Sequence, residues 1–423
     1  MYKKTVLENG VRIISSPMQD VQSLSLGIWV GTGSRSEIPE YSGISHYLEH
    51  LVFKGTGKYS CQKIKESIEG KGGSVNAFTG EEATCYLVKL PAKYLDLALD
   101  ILSEMVLYPA LPPDEIEKER TVILEEIKMY KDLPQSYVHE LLDELLWPDQ
   151  PLGRSILGTV GSVNRIKRPD LDGYRSRYYT AGNIVVSAAG AVNHRKLSAS
   201  VRKIFSGLKK TGVNSFAPAN VRQRGAGVNI FHKETEQTHL ALGFHGFPRE
   251  HKLKYALGLL NIILGGNSSS RLFEQIREKR GLAYEIGTGV KRLKDTGAFV
   301  VHAGVDNNKV LDALGLILEQ LALARKEPAG REEFKRAKDF FLGQMMLALE
   351  DTMDQMLWIG ESTLSQNKTL SLRQVIKEIG KVKISELKEA AELIFNKDNI
   401  NLALIGPLKD KEPDIRAKLD NLG

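Results

Sequence analysis

Ser23-Leu-Ser-Leu-Gly-Ile28 returns as His239-Leu-Ala-Leu-Gly-Phe244, an offset of 216 in the numbering (239 − 23). Asn183-Ile-Val-Val-Ser-Ala-Ala-Gly190 and Asn399-Ile-Asn-Leu-Ala-Leu-Ile-Gly406 keep the same offset, and Gly10-Val11 pairs with Gly227-Val228 at 217. A spacing held over so long a span indicates a tandem duplication, although two copies do not make a solenoid. The expected halves are 1–211 and 222–423. The linker 212–221 falls in a polar stretch that contains Lys209-Lys-Thr-Gly212, Pro218 and Arg222-Gln-Arg-Gly225. A chain of 423 residues is also too long for a single core.

Within the first half, Val11–Ser15 and Leu24–Val30 alternate like half-buried strands. Pro91–Leu107 carries Leu95, Leu97, Ala98, Ile101, Leu102, Met105 and Val106 at helical spacing. A second helix is expected over Glu115–Lys131, with Asp114 as its N-cap and Pro134 beyond its end. Strands and helices come in groups instead of alternating strictly. The expected class is therefore α+β: two homologous domains, each a mainly antiparallel sheet with helices packed on one face.

Composition narrows the function. Hydrophobic residues make up 42% and charged residues 26%, as in a soluble globular protein, and no apolar run approaches the roughly 18–20 residues of a membrane span. The start of the chain has no apolar core of a targeting segment. A cytoplasmic location without membrane contact is the expectation. Lys and Arg are interspersed with acids and the net charge is only +6, which gives nucleic-acid binding no support. Cys61 and Cys85 match neither a disulfide framework nor a metal motif, and Cys85 reads as a small buried hydrophobe in a strand.

The sharpest local signal is His46-Tyr-Leu-Glu-His50. At about 100° per residue, His50 lies about 40° from His46, and Glu49 about 60° to the other side. All three share one helical face, so two imidazoles can grip one zinc ion while the carboxylate reaches a water beside it. The pattern is the inverted metalloprotease motif, H-x-x-E-H. A catalytic zinc site needs a third protein ligand. The helix that follows offers several carboxylates; Glu119 and Glu126, seven apart, flank its apolar stripe Ile116, Ile123, Ile127 and Tyr130. Spacing alone does not separate Glu126 from Glu125.

Longer stretches extend the pattern: Gly31-Thr-Gly-Ser-Arg-Ser36, Gly43-Ile-Ser-His-Tyr-Leu-Glu-His-Leu-Val-Phe-Lys-Gly-Thr56, Asn76-Ala-Phe-Thr79, Glu119-Arg-Thr-Val-Ile-Leu-Glu-Glu-Ile127, Pro151-Leu-Gly-Arg-Ser-Ile-Leu-Gly158 and Ser270-Arg-Leu-Phe-Glu-Gln-Ile-Arg-Glu-Lys-Arg-Gly-Leu-Ala-Tyr284. With these the sequence resembles the pitrilysin/insulinase family of zinc peptidases, and in particular bacterial relatives of the mitochondrial processing peptidase. The resemblance runs almost end to end.

The resemblance implies that Glu126 is the third zinc ligand, that Glu119 supports the site, and that Glu49 is the general base. It implies that Asn76, Ala77 and Phe78 lie on an edge strand to which an extended peptide adds, and that Arg277 and Tyr284 contact the substrate backbone. It further implies a zinc endopeptidase for short or unfolded peptides, one zinc ion per chain, working as a homodimer. An idle peptide-binding or scaffold subunit is the alternative. At offset 216, His46, Glu49 and His50 fall on Ile262, Gly265 and Gly266, and Glu126 falls on Leu342. The second half therefore lacks the metal ligands and is expected to supply substrate contacts.

Overall fold

The computed structural model describes residues 2–420 apart from 224 and 367, so the outer limits of the two expected halves, 1 and 423, lie outside the described residues. The first sheet contains β1 (Lys3–Val6), β2 (Arg12–Pro17), β3 (Ser23–Val30), β4 (Ser74–Thr79), β5 (Thr84–Pro91) and β6 (Ile184–Gly190), in the order β1-β2-β6-β3-β5-β4. The second contains β7 (Gly227–His232), β8 (Gln237–Gly246), β9 (Ala283–Arg292), β10 (Gly297–Asp306) and β11 (Asn401–Gly406), in the order β7-β11-β8-β10-β9. Apart from the extra β1, the two orders are the same. In each sheet one pairing is parallel, β2 with β6 and β7 with β11, and the rest are antiparallel. The α+β class and the duplicated architecture follow. Among the described residues no helix is long and apolar enough to cross a membrane.

The compact units are not contiguous in sequence. The first comprises 1–128, 155–217 and 345–373; the second comprises 129–154, 218–344 and 374–423. The chain passes between units at Ala217 and Pro218, but two segments depart from simple halves. The helix Pro134–Leu146 packs on β8 and β11, and the helix Thr352–Gln366 packs on β3 and β6.

Alternation in the strands explains this arrangement. In β3, Leu24, Leu26, Ile28 and Val30 face the main core with the helices Ile44–Val52 and Leu95–Leu107. Trp29 faces the opposite side, in a smaller cluster with Ile14, Cys85, Val185 and Ile359. The repeated glycine on that second face seats the incoming helix. A Cβ on Gly27 would lie 2.5 Å from Sδ of Met356, and one on its counterpart Gly243 would lie 2.9 Å from both methyl carbons of Leu142.

The offset of 216 is not kept by every element. The segment 31–43 separates β3 from the helix Ile44–Val52, and the shorter segment 247–253 separates β8 from the helix Lys254–Leu264. The two helices therefore start at an offset of 210 (254 − 44). Counted from the first residue of each helix, His46, Glu49 and His50 match Ala256, Leu259 and Leu260, whereas the constant offset places Gly265 and Gly266 beyond the end of the second helix. All three counterparts are buried and apolar. A second correction concerns Asp114. The helix runs Pro113–Asp132, so Asp114 sits in its first turn behind proline, a residue suited to that position, and is not the cap.

Candidate metal centre

Gly43 begins the helix Ile44–Val52 with φ +92°, and a Cβ there would collide with the carbonyl oxygen of Leu157, so only glycine fits. The apolar face of that helix is fully buried through Tyr47, Leu48, Leu51 and Val52. His46, Glu49 and His50 are thereby held towards the helix Pro113–Asp132. That second helix is fixed by Ile116, Ile123 and Ile127 in the same core, and its stripe turns Glu119 and Glu126 inward.

Nε2 of His46 and Nε2 of His50 each lie 3.7 Å from Oε2 of Glu126. Among the described residues, only His46, His50 and Glu126 bring three such donor atoms within 4.8 Å of one another. Both separations are too long for a hydrogen bond. Ligands bonded to one tetrahedral zinc ion would lie about 3.3–3.5 Å apart. Burial, then the neighbouring His50, pushes the His46 imidazole down to about 3, so it is a neutral lone-pair donor at neutral pH. Burial also raises the Glu126 carboxyl, an effect opposed by His50. Three lone pairs facing one another across a space of this size fit a cation.

Each of the remaining groups has a defined place. Glu119 is buried, and its Oε2 lies 3.0 Å from Nδ1 of His50 while its Oε1 meets Nζ of Lys54. A carboxylate on Nδ1 fixes the ring and leaves Nε2 free as a ligand, so Glu119 is a positioning residue. Glu49 stands beside this group. Thr79 donates from Oγ1 to its Oε2 at 2.6 Å, and among the described residues its Oε1 has no partner. Burial is the main cause that raises the Glu49 carboxyl above its ordinary value.

Asn76, Ala77 and Phe78 lie in β4, the last strand of its sheet, paired among the described residues with β5 alone. The Asn76 side chain accepts from its neighbour, the Ala77 N–H, at 2.8 Å, and the Phe78 ring packs edge-on against Trp29. In the second unit, Arg277 lies in a π-helical turn, Phe273–Glu278, a distortion that often marks functional sites. Its guanidinium carbon sits 4.7 Å from the Phe273 ring centroid and 5.3 Å from that of Tyr284, whose side chain is exposed. The Arg–Tyr pair is thus assembled locally.

The family model described as Insulinase (Peptidase family M16) matches residues 12–160, and that described as Peptidase M16 inactive domain matches 165–341. A protein of Bacillus subtilis named an uncharacterized zinc protease is 36% identical over 96% of this chain and 98% of its own length. One of Streptomyces coelicolor, named likewise, is 37% identical over 97% of this chain and 90% of its own.

The chain belongs to peptidase family M16. Its fold agrees with the crystal structure of a protease from Helicobacter pylori, at TM-score 0.90, with 25% identity over 96% of this chain and all of that one. A Pseudomonas fluorescens structure described as a peptidase M16 inactive domain has the same fold, at TM-score 0.88 and 20% identity over 96% of this chain and 98% of that one. The three ligand-type residues fall inside the first M16 match, and Arg277 and Tyr284 inside the second.

Two groups at the M16 centre were not singled out by sequence reasoning. Glu37 is buried, and its carboxylate accepts from the backbone N–H of Gly43 at 2.7 Å and of Ser45 at 2.9 Å, anchoring the start of the histidine helix. The sequence signal was its place directly after Gly31–Ser36 and shortly before the helix-initiating glycine. Lys54, inside the long motif, neutralises Glu119.

Proposed function

We propose that this chain is a zinc metalloendopeptidase acting on short or unfolded peptides, with one zinc ion per chain on His46, His50 and Glu126. The observation that carries this reading is the approach of Nε2 of both histidines to Oε2 of Glu126, with the Glu49 carboxylate alongside. Zinc in such a site lowers the pKa of a water and polarises a peptide carbonyl. Glu49 takes the proton of the attacking water at Oε1 and passes it to the leaving amine. Its elevated affinity for a proton suits both halves of that task. Thr79 holds the other oxygen and so orients the base.

β4 receives the substrate as an added strand, which binds main chain and demands little of sequence. Arg277 and Tyr284 hold the peptide or stabilise the oxyanion. By the family resemblance two chains associate, each presenting its Arg277–Tyr284 pair to the other's centre. The cytoplasm is the expected compartment.

The deciding experiment is peptidase activity of the purified chain on a peptide library, with chelation and zinc add-back. Glu49→Gln should abolish turnover while the zinc ion on His46, His50 and Glu126 stays bound. Wild-type rates in that variant would overturn the mechanism, and an inactive wild type that still binds zinc would point to an idle subunit. Mixing Glu49→Gln with Arg277→Ala chains should restore some activity if the pair acts between chains; no restoration would favour action within one chain or an obligate different partner.

A further inference from the structure

A second group of ligand-type side chains lies in the second unit. His139 on the helix Pro134–Leu146, His239 on β8, His302 on β10 and Glu285 on β9 line one cavity of about 200 Å³, with Gln135 at its margin. The sheet register builds its floor. Gly304 stands between Glu285 and His239 across three neighbouring strands, and Gly287 stands beside His302. A Cβ on Gly287 would lie 3.0 Å from Cε1 and Nε2 of His302, and one on Gly304 would lie 2.9 Å from Oε1 of Gln237. The two glycines keep the space between the imidazoles open.

Among the described residues, none of these three imidazoles takes part in a hydrogen bond, and the Glu285 carboxylate forms no ion pair. The rings of His139 and His302 lie 5.7 Å apart between centroids and are tilted by 63°. Two imidazoles sharing one metal ion, with metal–nitrogen bonds of about 2.0–2.1 Å, put their ring centroids about 5–6 Å apart. Burial pushes all three imidazoles below their ordinary range, so they are neutral donors at neutral pH. The Glu285 carboxylate opposes that shift in all three. Lys291 also faces His139, but its ammonium is engaged by Asp143 at 2.8 Å.

From this arrangement we propose a second site for a divalent transition-metal ion, separate from the peptidase centre, with His139 and His302 as fixed ligands completed by Glu285 and His239. Its four donors do not converge as closely as those of His46, His50 and Glu126. Glu285 is exposed and has free torsions, so it swings in when the ion arrives. The second site is therefore the weaker of the two. Imidazole and carboxylate donors select a borderline ion such as zinc, cobalt or nickel over calcium or magnesium. Occupancy ties the helix Pro134–Leu146 to β9 and β10.

Cobalt(II) is a suitable probe, read by equilibrium dialysis and by its visible spectrum on the full chain. The wild type should bind two ions, and His46→Ala/His50→Ala should retain one. Adding His139→Ala/His302→Ala to that chain should remove the last ion. Glu285→Gln, a change at an exposed side chain that leaves the fold intact, should weaken the retained ion by at least about tenfold, the lower end of what even outer partners contribute. The proposal is overturned if His46→Ala/His50→Ala binds no cobalt at saturation, or binds it equally with and without His139, His302 and Glu285. Because the ion is counted in a chain stripped of the first centre, the result is independent of the peptidase reading.

Discussion

In the first unit the helix behind the central strand presents His46, Glu49 and His50. In the second the corresponding helix presents Ala256, Leu259 and Leu260, all buried in its core. The strand orders around the two helices are the same, so the fold does not require the metal ligands and the metal ligands do not create the fold. The apolar helix is the easier one to bury, because Lys254–Leu264 carries neither a carboxylate nor an imidazole. The first unit carries Glu49 with its proton affinity raised by burial, and His46 with Nδ1 buried and unpartnered. Those are costs kept for chemistry, and one scaffold carries both versions.

The comparison breaks most visibly when matched positions are truncated. His50→Ala should remove the zinc ion of the peptidase centre and bring peptidase activity to background, while its counterpart Leu260→Ala should leave that ion bound and cost about 2–5 kcal/mol of stability. Metal analysis and denaturant titration of the two variants check this. If Leu260→Ala also lost zinc, the two helices would not be independent.

Next in size is the seat of the crossing helix in the first unit. Gly360 lies on Trp29, where a Cβ would collide with Nε1 of the indole and come 2.7 Å from the Ser187 hydroxyl. In an exposed helix, replacing glycine by alanine gains about 1 kcal/mol. Gly360→Ala should instead cost about 1–3 kcal/mol through overpacking. A rise in melting temperature would show that the helix is not seated there.

Glu49→Leu makes the first helix resemble the second. It should end turnover yet stabilise the metal-free chain by about 0.5–2 kcal/mol, as removal of a functional cost commonly does. Peptidase assays and chemical denaturation of the metal-free variant check both halves of this expectation.

The smallest effect is one of pH. Burial holds His46 at about 3 and His245 at about 4, both below the 6.5 of an unfolded histidine. The unfolded chain then binds more protons between those values, so the stability these neutral rings confer is complete above pH 6.5 and is lost as pH falls towards 3–4. In metal-free protein, His46→Gln should flatten this acid loss more than His245→Gln, as measured by denaturation midpoints from about pH 4 to 7. Equal slopes would mean that burial does not separate the two sites.

Much of this was legible in the chain itself. The helical phase of His46, Glu49 and His50 and the duplicated Leu-Gly strands are short-range patterns, and short-range patterns survive in sequence. The choice of Glu126 was not legible from physics. It depends on two helices, far apart in the chain, meeting so that one carboxylate oxygen lies equally far from both imidazoles. Arithmetic at a constant offset misassigned the second helix because the loop before it is shorter, a change that costs a fold little.

The sequence alone determined the duplication, the α+β class, and which half has a helix able to grip a metal, because periodicity and residue type decide those. Tertiary structure decided which carboxylates turn inward, that Glu37 anchors the histidine helix and Glu119 steers His50, and that two helices pack on the sheet of the other half. These outcomes rest on distant segments meeting around fully buried cores, and Gly27 and Gly243 shape the seats only once those segments arrive.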